Sequence, residues 1–269
     1  MSDTLMTVLG IIFIFFMTSL GSAFVFFFKK DISSKLNTIF LGFAAGIMSA
    51  AAVWSLLIPA IDSAVESGSY GILSWVPAAS GIVLGGLFMV LMDKVVPHFH
   101  KGTNEEEGPH TSYKKATKMF LAVTIHNIPE GLAVGFAFGA ASAIQDPIAR
   151  TASIVAALGL AIGMGIQNLP EGTAVTLPLS SVTGSKAKAF GYGVLSGAVE
   201  PLFAVIGYFL AAYVGVLQPW LLSMSAGAMI FVVVEDLIPD AKLSENSHLG
   251  TWAILLGFAV MMVLDVALG

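Results

Sequence analysis

Residues 121–138 read Leu-Ala-Val-Thr-Ile-His-Asn-Ile-Pro-Glu-Gly-Leu-Ala-Val-Gly-Phe-Ala-Phe, an apolar run interrupted chiefly by a histidine, an asparagine, a proline and a glutamate. A helix that crosses a bilayer needs about 20 mostly apolar residues, so this run predicts a membrane-spanning helix. It also places His126 and Glu130 inside the membrane, where an ionisable side chain usually marks a functional site.

The rest of the chain has the same apolar character. Its 269 residues are 57% hydrophobic and 11% charged, with a mean hydropathy of +0.89, whereas soluble domains carry roughly 25% charged residues. The apolar runs are long and continuous rather than short and alternating, which predicts helices and not barrel strands. We therefore predict an all-α integral membrane protein with one polytopic domain over residues 1–269. The eight predicted spans are approximately 4–28, 36–61, 72–97, 114–139, 150–179, 186–214, 218–238 and 249–268.

The basic residues predict the orientation of the chain, because Lys and Arg accumulate in cytoplasmic loops. The even-numbered connections carry only Arg150, whereas the odd-numbered connections are rich in lysine. Those lysines are Lys29, Lys30, Lys35, Lys94, Lys101, Lys114, Lys115, Lys118, Lys186, Lys188 and Lys242. We expect a multi-pass protein of the cell membrane with both termini outside and a flexible cytoplasmic loop over residues 98–118.

The loop 98–118 is the longest polar stretch of the chain. It contains three histidines and an acidic triplet, namely His98, His100, His110 and Glu105 to Glu107. A solvated connection explains this composition, and so does a loose metal-binding segment, since histidine-rich tracts can bind metal ions.

Three carboxylates fall near the middle of predicted spans: Glu130, Glu171 and Glu200. Each costs roughly 3 kcal/mol at the bilayer centre, so together they cost about 9 kcal/mol. Buried ion pairs can compensate such groups, but no Lys or Arg lies in the middle of any span. The carboxylates are therefore either protonated or neutralised by a bound cation.

Two near-identical segments in consecutive spans hold two of these glutamates: His126-Asn-Ile-Pro-Glu130-Gly and Gln167-Asn-Leu-Pro-Glu171-Gly. In each segment the first residue and the glutamate are four apart, so they share one helix face about 6 Å apart. Each proline removes a backbone N–H and predicts a bend. Paired broken helices are typical of transporters. We expect a pseudo-symmetric bundle with kinked fourth and fifth helices at its core.

On these paired motifs, the eight spans, the outward termini and the histidine-bearing loop, the chain resembles the ZIP family of metal transporters, and specifically its GufA-type branch. The resemblance covers essentially the whole chain. It implies a transport site formed by His126, Glu130, Gln167 and Glu171. It also implies that the thioether of Met48 is a further ligand.

The resemblance further implies a second ion, bridged by both motif glutamates and held by Asn127, Asn168 and Glu200. Gln167 and Asn168 depart from the family pattern, because many members have His at the first position and some relatives have Asp at the second. The second ion would therefore have fewer anionic ligands here. Three glutamates sum to −3, so one divalent ion leaves −1 and two leave +1, and both occupancies stay open.

The ligand types predict the class of ion. Imidazole, carboxylate, amide and thioether groups suit Zn²⁺, with Cd²⁺, Fe²⁺, Mn²⁺ and Co²⁺ as further candidates. Mg²⁺ and Ca²⁺ prefer shells of oxygen alone. The expected partners are these ions and the lipid bilayer, with a homodimer left open. We expect no organic cofactor and no nucleic-acid partner, because the chain has no phosphate-binding loop and no basic stripe with interleaved aromatics.

Five acidic residues near the predicted span ends are candidates for the transport pathway, although interfacial solvation explains each of them as well. Asp93, Glu235 and Asp236 lie toward the predicted cytoplasmic side, and Asp62 and Asp265 toward the outside.

Two other function classes fit parts of the pattern. An intramembrane zinc hydrolase would activate a bound water with a glutamate base, but the chain lacks His-Glu-x-x-His and offers a single membrane histidine. A proton-linked carrier for another substrate would use the glutamates alone. We expect metal uptake by alternating access and no catalytic residue. Replacement of His126 separates a metal carrier from a proton-only exchanger.

Overall fold

The computed structural model describes residues 2–28, 33–99, 106–241 and 247–268. Eight of the helices in these ranges are long and apolar enough to cross a membrane, which confirms the all-α membrane class. They are α1 (Asp3–Phe26), α2 (Ser34–Glu66), α3 (Gly71–Val95), α4 (Lys115–Ala143), α5 (Pro147–Thr183), α6 (Lys186–Tyr213), α7 (Gly215–Leu237) and α8 (His248–Leu268).

Residues at the helix ends explain where α5 begins and stops. The carboxylate of Asp146 accepts a hydrogen bond from the backbone N–H of Ala149 at 2.8 Å. Pro147 takes the first helical position, where its missing N–H costs nothing. The helix ends at Gly184, whose φ of +64° is the left-handed conformation that favours glycine. The side chain of Ser185 then caps the start of α6.

The eight helices pack mainly in four pairs: α1 with α5, α4 with α6, α2 with α8, and α3 with α7. The same four pairs result when each helix is exchanged with a counterpart, namely α1 with α6, α2 with α7, α3 with α8 and α4 with α5. The pattern is that of an approximate twofold repeat, with α4 and α5 in contact with each other. Pro129 and Pro170 lie inside these two helices, and the bends predicted there remain predictions.

Glycines allow the paired helices to approach backbone to backbone. A Cβ added to Gly131 of α4 would lie 2.4 Å from the carbonyl oxygen of Glu200 on α6. A Cβ added to Gly172 of α5 would lie 2.7 Å from the carbonyl oxygen of Thr18 on α1. Small residues bring helices together in lipid in this way. The glycine that follows each motif glutamate therefore sets the distance between the helices of its pair.

Two helices contain a wider, π-helical stretch shortly before a proline. In α2 it covers Ala52–Leu57 before Pro59, and in α7 it covers Val233–Leu237 before Pro239. The matching positions agree with the exchange of α2 and α7. π-Helical turns often occur at functional sites, and the one in α7 carries Asp236.

The connection between α3 and α4 contains a short antiparallel pair, β1 (His98–Phe99) with β2 (Glu106–Glu107). The helix α4 already begins at Lys115, inside the predicted loop 98–118. Several residues used in the sequence analysis lie outside the described ranges, namely Lys29, Lys30, His100, Lys101, Glu105 and Lys242. The flexibility of the loop and the orientation of the chain remain predictions.

Candidate metal site

The two repeated motifs meet in the interior of the bundle. Their polar side chains are all buried, namely those of His126, Asn127, Glu130, Gln167, Asn168 and Glu171. The amide nitrogen Nε2 of Gln167 on α5 donates to Oε1 of Glu130 on α4 at 2.7 Å. The first position of one motif is therefore bonded to the glutamate of the other.

A chain of hydrogen bonds continues from this contact to Glu200 and crosses four helices. Gln167 Nε2 also donates to Oδ1 of Asn168. Nδ2 of Asn168 donates to the hydroxyl of Thr18 on α1 at 2.9 Å, and that hydroxyl donates to Oε1 of Glu200 on α6 at 2.6 Å. The network thus joins the carboxylates of Glu130 and Glu200 through two amides and a hydroxyl, all of them buried.

Glu200 lies beside a local break in α6. The helix turns at Ala198, because Pro201 has no N–H to donate to the carbonyl four residues earlier. Glu200 is fully buried, and its backbone carbonyl lies against Gly131 of α4. The break therefore occurs where the third carboxylate reaches the level of Glu130.

Several oxygens in this network are buried and lack a hydrogen-bond donor. Oε2 of Glu130, Oε2 of Glu200 and Oε1 of Gln167 have no hydrogen-bond partner among the residues that the structure describes. Buried polar atoms without partners are few in native proteins and often mark the place of an ion or a water. A cation between these groups would give those oxygens a partner.

In this conformation the amide of Gln167 is bonded within the site. Across the described ranges, no three His, Asp or Glu side chains are grouped closely enough to hold a metal ion. An ion bound by Glu130 and Gln167 would need the amide oxygen in the place of the amide N–H. The side chain of Gln167 must therefore rotate when such an ion binds.

Two contacts from α7 reach the motif of α4. Nε2 of His126 lies 3.2 Å from Oδ2 of Asp236, and the hydroxyl of Ser225 donates to the carbonyl of Pro129 at 3.1 Å. Asp236, expected toward the cytoplasmic end of its span, thus contacts a predicted metal ligand. Met48 is fully buried in the apolar core, and its role as a thioether ligand remains a prediction.

Two acidic pathway candidates line a large cavity at the end of the bundle predicted to face outside. The cavity has a volume of about 560 Å³, and its walls include Asp62, Glu66 and Asp265. The hydroxyl of Ser55, in the π-helical stretch of α2, donates to Asp265 at 2.5 Å. The cavity therefore carries three carboxylates at its wall.

The other pathway candidates lie at or near the opposite end. Oδ1 of Asp93 lies 3.5 Å from Nε2 of the buried His98, and Glu235 is exposed. Within the described ranges, these two acidic residues lie outside the hydrogen-bonded network that joins Glu130 to Glu200.

A much smaller cavity lies beside Asn168 and Glu171. Its volume is about 10 Å³, close to what one water molecule needs, and its walls include Thr18 and Ser22 of α1. Sequence reasoning missed both hydroxyl residues, because they stand in an apolar run without a motif. Their spacing of four residues, which places them on one helix face, is the signal that could have found them.

A family model described as "ZIP Zinc transporter" matches residues 4–119 and 110–265. The chain belongs to the ZIP family. This ZIP chain is 36% identical to the zinc transporter ZIP11 of Homo sapiens, over 100% of the chain and 98% of that relative.

Bacterial ZIP relatives are similar over most of the chain. The zinc transporter GufA of Myxococcus xanthus is 32% identical over 89% of the chain and 90% of that protein. The zinc transporter ZIPB of Bordetella bronchiseptica is 35% identical over 89% of the chain and 74% of that protein. These similarities confirm the family predicted from the paired motifs.

Proposed function

We propose that this ZIP protein carries divalent transition metal ions, above all Zn²⁺, into the cytoplasm by alternating access. One observation carries the proposal: the network from Glu130 to Glu200 contains buried acceptor oxygens without donors among the described residues. A bound cation would supply those oxygens with the partner that they lack. The names of the relatives, which are zinc transporters, favour Zn²⁺ as the ion.

The first ion would be held between the two motifs, by His126 and Glu130 of α4 and by Gln167 and Glu171 of α5, with Met48 as a further ligand. This set is intermediate in softness, so Cd²⁺, Fe²⁺, Mn²⁺ and Co²⁺ would compete with Zn²⁺.

A second ion would share the motif glutamates and use Asn127, Asn168 and Glu200. All of its ligand atoms would be oxygens, and two of the three residues are neutral amides. The second ion should therefore bind more weakly than the first, and the stoichiometry of binding decides whether it binds at all.

The packing suggests which helices move together. The backbone approaches at Gly131 and Gly172 lie within the pairs α4–α6 and α1–α5, which also contact each other through α4 and α5. By contrast, Gly163 of α5 meets α8 through the flexible side chain of Met261. A group of α1, α4, α5 and α6 would shift past α2, α3, α7 and α8 and expose the site to alternate sides.

The pathway would begin at the large cavity, where Asp62 and Asp265 collect cations. It would end past Asp93, Glu235 and Asp236 at the cytoplasmic side. Protons compete with Zn²⁺ for imidazole and carboxylate groups, so protonation would aid release. Zn²⁺ affinity should fall when the pH is lowered from about 7.5 to about 5.5, a range in which imidazole groups titrate. An unchanged affinity over this range would contradict proton-aided release.

The proposed orientation has both termini outside and the loop 98–118 in the cytoplasm. The chain has no cysteine, so single cysteines can report the side of the membrane. Ser2→Cys should react with a membrane-impermeant maleimide on intact cells, whereas Ser112→Cys, at an exposed position of the loop, should react only after the membrane is opened. The reverse pattern would invert the proposed direction of transport. Crosslinking of the same variants would report a homodimer.

Metal flux into sealed vesicles that contain the purified protein tests the function. Glu130→Ala and Glu171→Ala should each abolish Zn²⁺ uptake. Asp146→Asn is the matched control, because Asp146 is exposed at the start of α5 and Asn caps a helix equally well. Full uptake in either glutamate variant would contradict the shared site.

Replacement of His126 separates the metal carrier from its rivals. His126→Ala should weaken Zn²⁺ binding and alter the selectivity among divalent ions. A proton-linked carrier for another substrate would tolerate the change. The family and the names of its relatives favour a transporter over an intramembrane zinc hydrolase, and we assign no catalytic residue and no organic cofactor.

A further inference from the structure

Thr18 on α1 occupies the position that corresponds to Glu200 on α6. The carbonyl oxygen of each residue lies against the glycine that follows a motif glutamate, Gly172 for Thr18 and Gly131 for Glu200. The exchange of α1 with α6 and of α4 with α5 therefore relates Thr18 to Glu200. One half of the repeat carries a carboxylate at this place, and the other half carries a hydroxyl.

The two related residues are bonded to each other in the core. The hydroxyl of Thr18 donates to Oε1 of Glu200 at 2.6 Å and accepts from Nδ2 of Asn168 at 2.9 Å. A hydroxyl has one proton and two lone pairs, so it can donate to Glu200 and accept from Asn168 at the same time. The hydroxyl of Thr18 also lies 3.2 Å from the carbonyl oxygen of Ile14 within α1, which is a longer contact than the one with Glu200.

The contact with Thr18 decides how Asn168 presents its side-chain amide. Because Nδ2 is bonded to Thr18, the oxygen Oδ1 is turned the other way, where it accepts from Gln167. Asn168 carries no charge, so only its oxygen can serve a cation. Without the hydroxyl, this contact would no longer fix which way the amide of Asn168 is turned.

We propose that Thr18 is a positioning residue of the ion site, whose hydroxyl fixes the orientation of the Asn168 amide and holds one oxygen of Glu200. The other oxygen of Glu200, which lacks a hydrogen-bond partner among the described residues, is then left for the ion. The inference rests on the proposed function. It adds α1 to a site that the sequence assigned to other helices.

Zn²⁺ titration of the purified full-length protein, by calorimetry with the stoichiometry recorded, tests the role of the hydroxyl. Thr18→Val keeps the shape of the side chain but removes the hydroxyl, and it should weaken Zn²⁺ binding about tenfold, as expected for loss of a hydrogen bond to a charged group. Thr18→Ser keeps the hydroxyl and should bind as the unaltered protein does. An unchanged Zn²⁺ affinity in Thr18→Val, or an affinity in Thr18→Ser as weak as that in Thr18→Val, would overturn the inference.

Thr7→Val is the matched control. Thr7 lies on the same helix, is buried, and donates to the backbone carbonyl of Asp3 at 3.0 Å. Its replacement should leave Zn²⁺ affinity unchanged, and a loss equal to that of Thr18→Val would show that any buried α1 hydroxyl has this effect. If Thr18→Val does not fold, Thr18→Ala against Thr18→Ser makes the same comparison.

A double-mutant cycle with Asn168→Asp isolates the orienting role. A carboxylate has acceptors at both positions, so its orientation no longer depends on Thr18. Thr18→Val should therefore weaken Zn²⁺ binding much less in the Asn168→Asp background than in the native one, and equal losses would overturn the orienting role. If the unaltered protein bound no Zn²⁺, the proposed function itself would fail, which is a distinct outcome.

Discussion

The side-chain amide of Gln167 lies 2.7 Å from the carboxylate of Glu130, so an N–H of one motif is bonded to the glutamate of the other. An amide N–H cannot coordinate a metal ion, whereas the amide oxygen can. Gln167 therefore has a hydrogen-bonding role in this conformation, and as the proposed ligand it would take a different role with the ion bound. Substitutions at this position should separate the two.

Gln167→His should tighten Zn²⁺ binding about tenfold and lower the relative affinity for Mn²⁺, because imidazole nitrogen suits Zn²⁺ better than an amide oxygen does. Competition between the two metals in equilibrium binding measures this change. Gln167→Leu, which leaves Oε1 of Glu130 without its donor, should weaken Zn²⁺ binding instead. An unchanged Zn²⁺ to Mn²⁺ ratio in the histidine variant would show that this position is no ligand.

Asp236→Asn should strengthen equilibrium Zn²⁺ binding. Asp236 lies 3.2 Å from Nε2 of His126, so an ion that binds this nitrogen must displace the carboxylate. An amide is a weaker partner for the imidazole, and we expect affinity to rise by about fivefold, the size of one charge-assisted hydrogen bond partly lost. Asp3→Asn, at the far end of α1, is the control. A decrease in affinity would indicate that Asp236 helps to hold the ion.

Gly131→Ala should destabilise the protein and abolish transport. The new Cβ would lie 2.4 Å from the carbonyl oxygen of Glu200, and such overpacking costs about 1–3 kcal/mol. Thermal unfolding in detergent and vesicle flux measure the two effects. Gly86→Ala is the matched control, because its Cβ would meet only the side chain of Phe231 at 3.7 Å. Equal melting temperatures for the two variants would argue against close packing of α4 on α6.

Asp62→Asn combined with Asp265→Asn should raise the KM for Zn²⁺ uptake several-fold at low ionic strength. These carboxylates line the large cavity, and a cleft of one charge sign concentrates ions of the opposite sign. The difference should vanish near 1 M salt, where charges are screened beyond about 3 Å. Asp146→Asn, outside the cavity wall, should change the KM at neither low nor high ionic strength. A KM difference that persists in high salt would point to direct coordination.

Hydropathy predicted eight helices because a bilayer imposes its length and polarity requirements on each span separately. The buried carboxylates could be recognised from the sequence for a related reason, since an ionisable residue within an apolar run cannot be explained as a solvent-exposed residue. The paired motifs placed His126 and Gln167 in equivalent positions. The contact between the two motifs, from Gln167 to Glu130, required the packing of α4 on α5.

Thr18 and Asp236 carry no comparable local signal. A threonine is tolerated anywhere in a membrane helix, where its hydroxyl can bond the carbonyl four residues earlier. Thr18 reaches Asn168, 150 residues away, only because Gly172 lets α1 approach α5 closely. Asp236 reaches His126 from the π-helical stretch of α7, whose widened turns change the direction of its side chains relative to a regular helix.

By itself the sequence determined that the chain is a membrane bundle with uncompensated carboxylates in its interior, because hydrophobicity and charge act locally along each helix. Only the tertiary structure decided which groups surround those carboxylates. A hydrogen bond requires its two heavy atoms to lie about 3 Å apart. Whether two side chains come that close depends on how the helices pair, and glycines far away in the sequence set that pairing. The bond from Thr18 to Glu200 joins residues 182 positions apart, and no pattern within either helix specifies it.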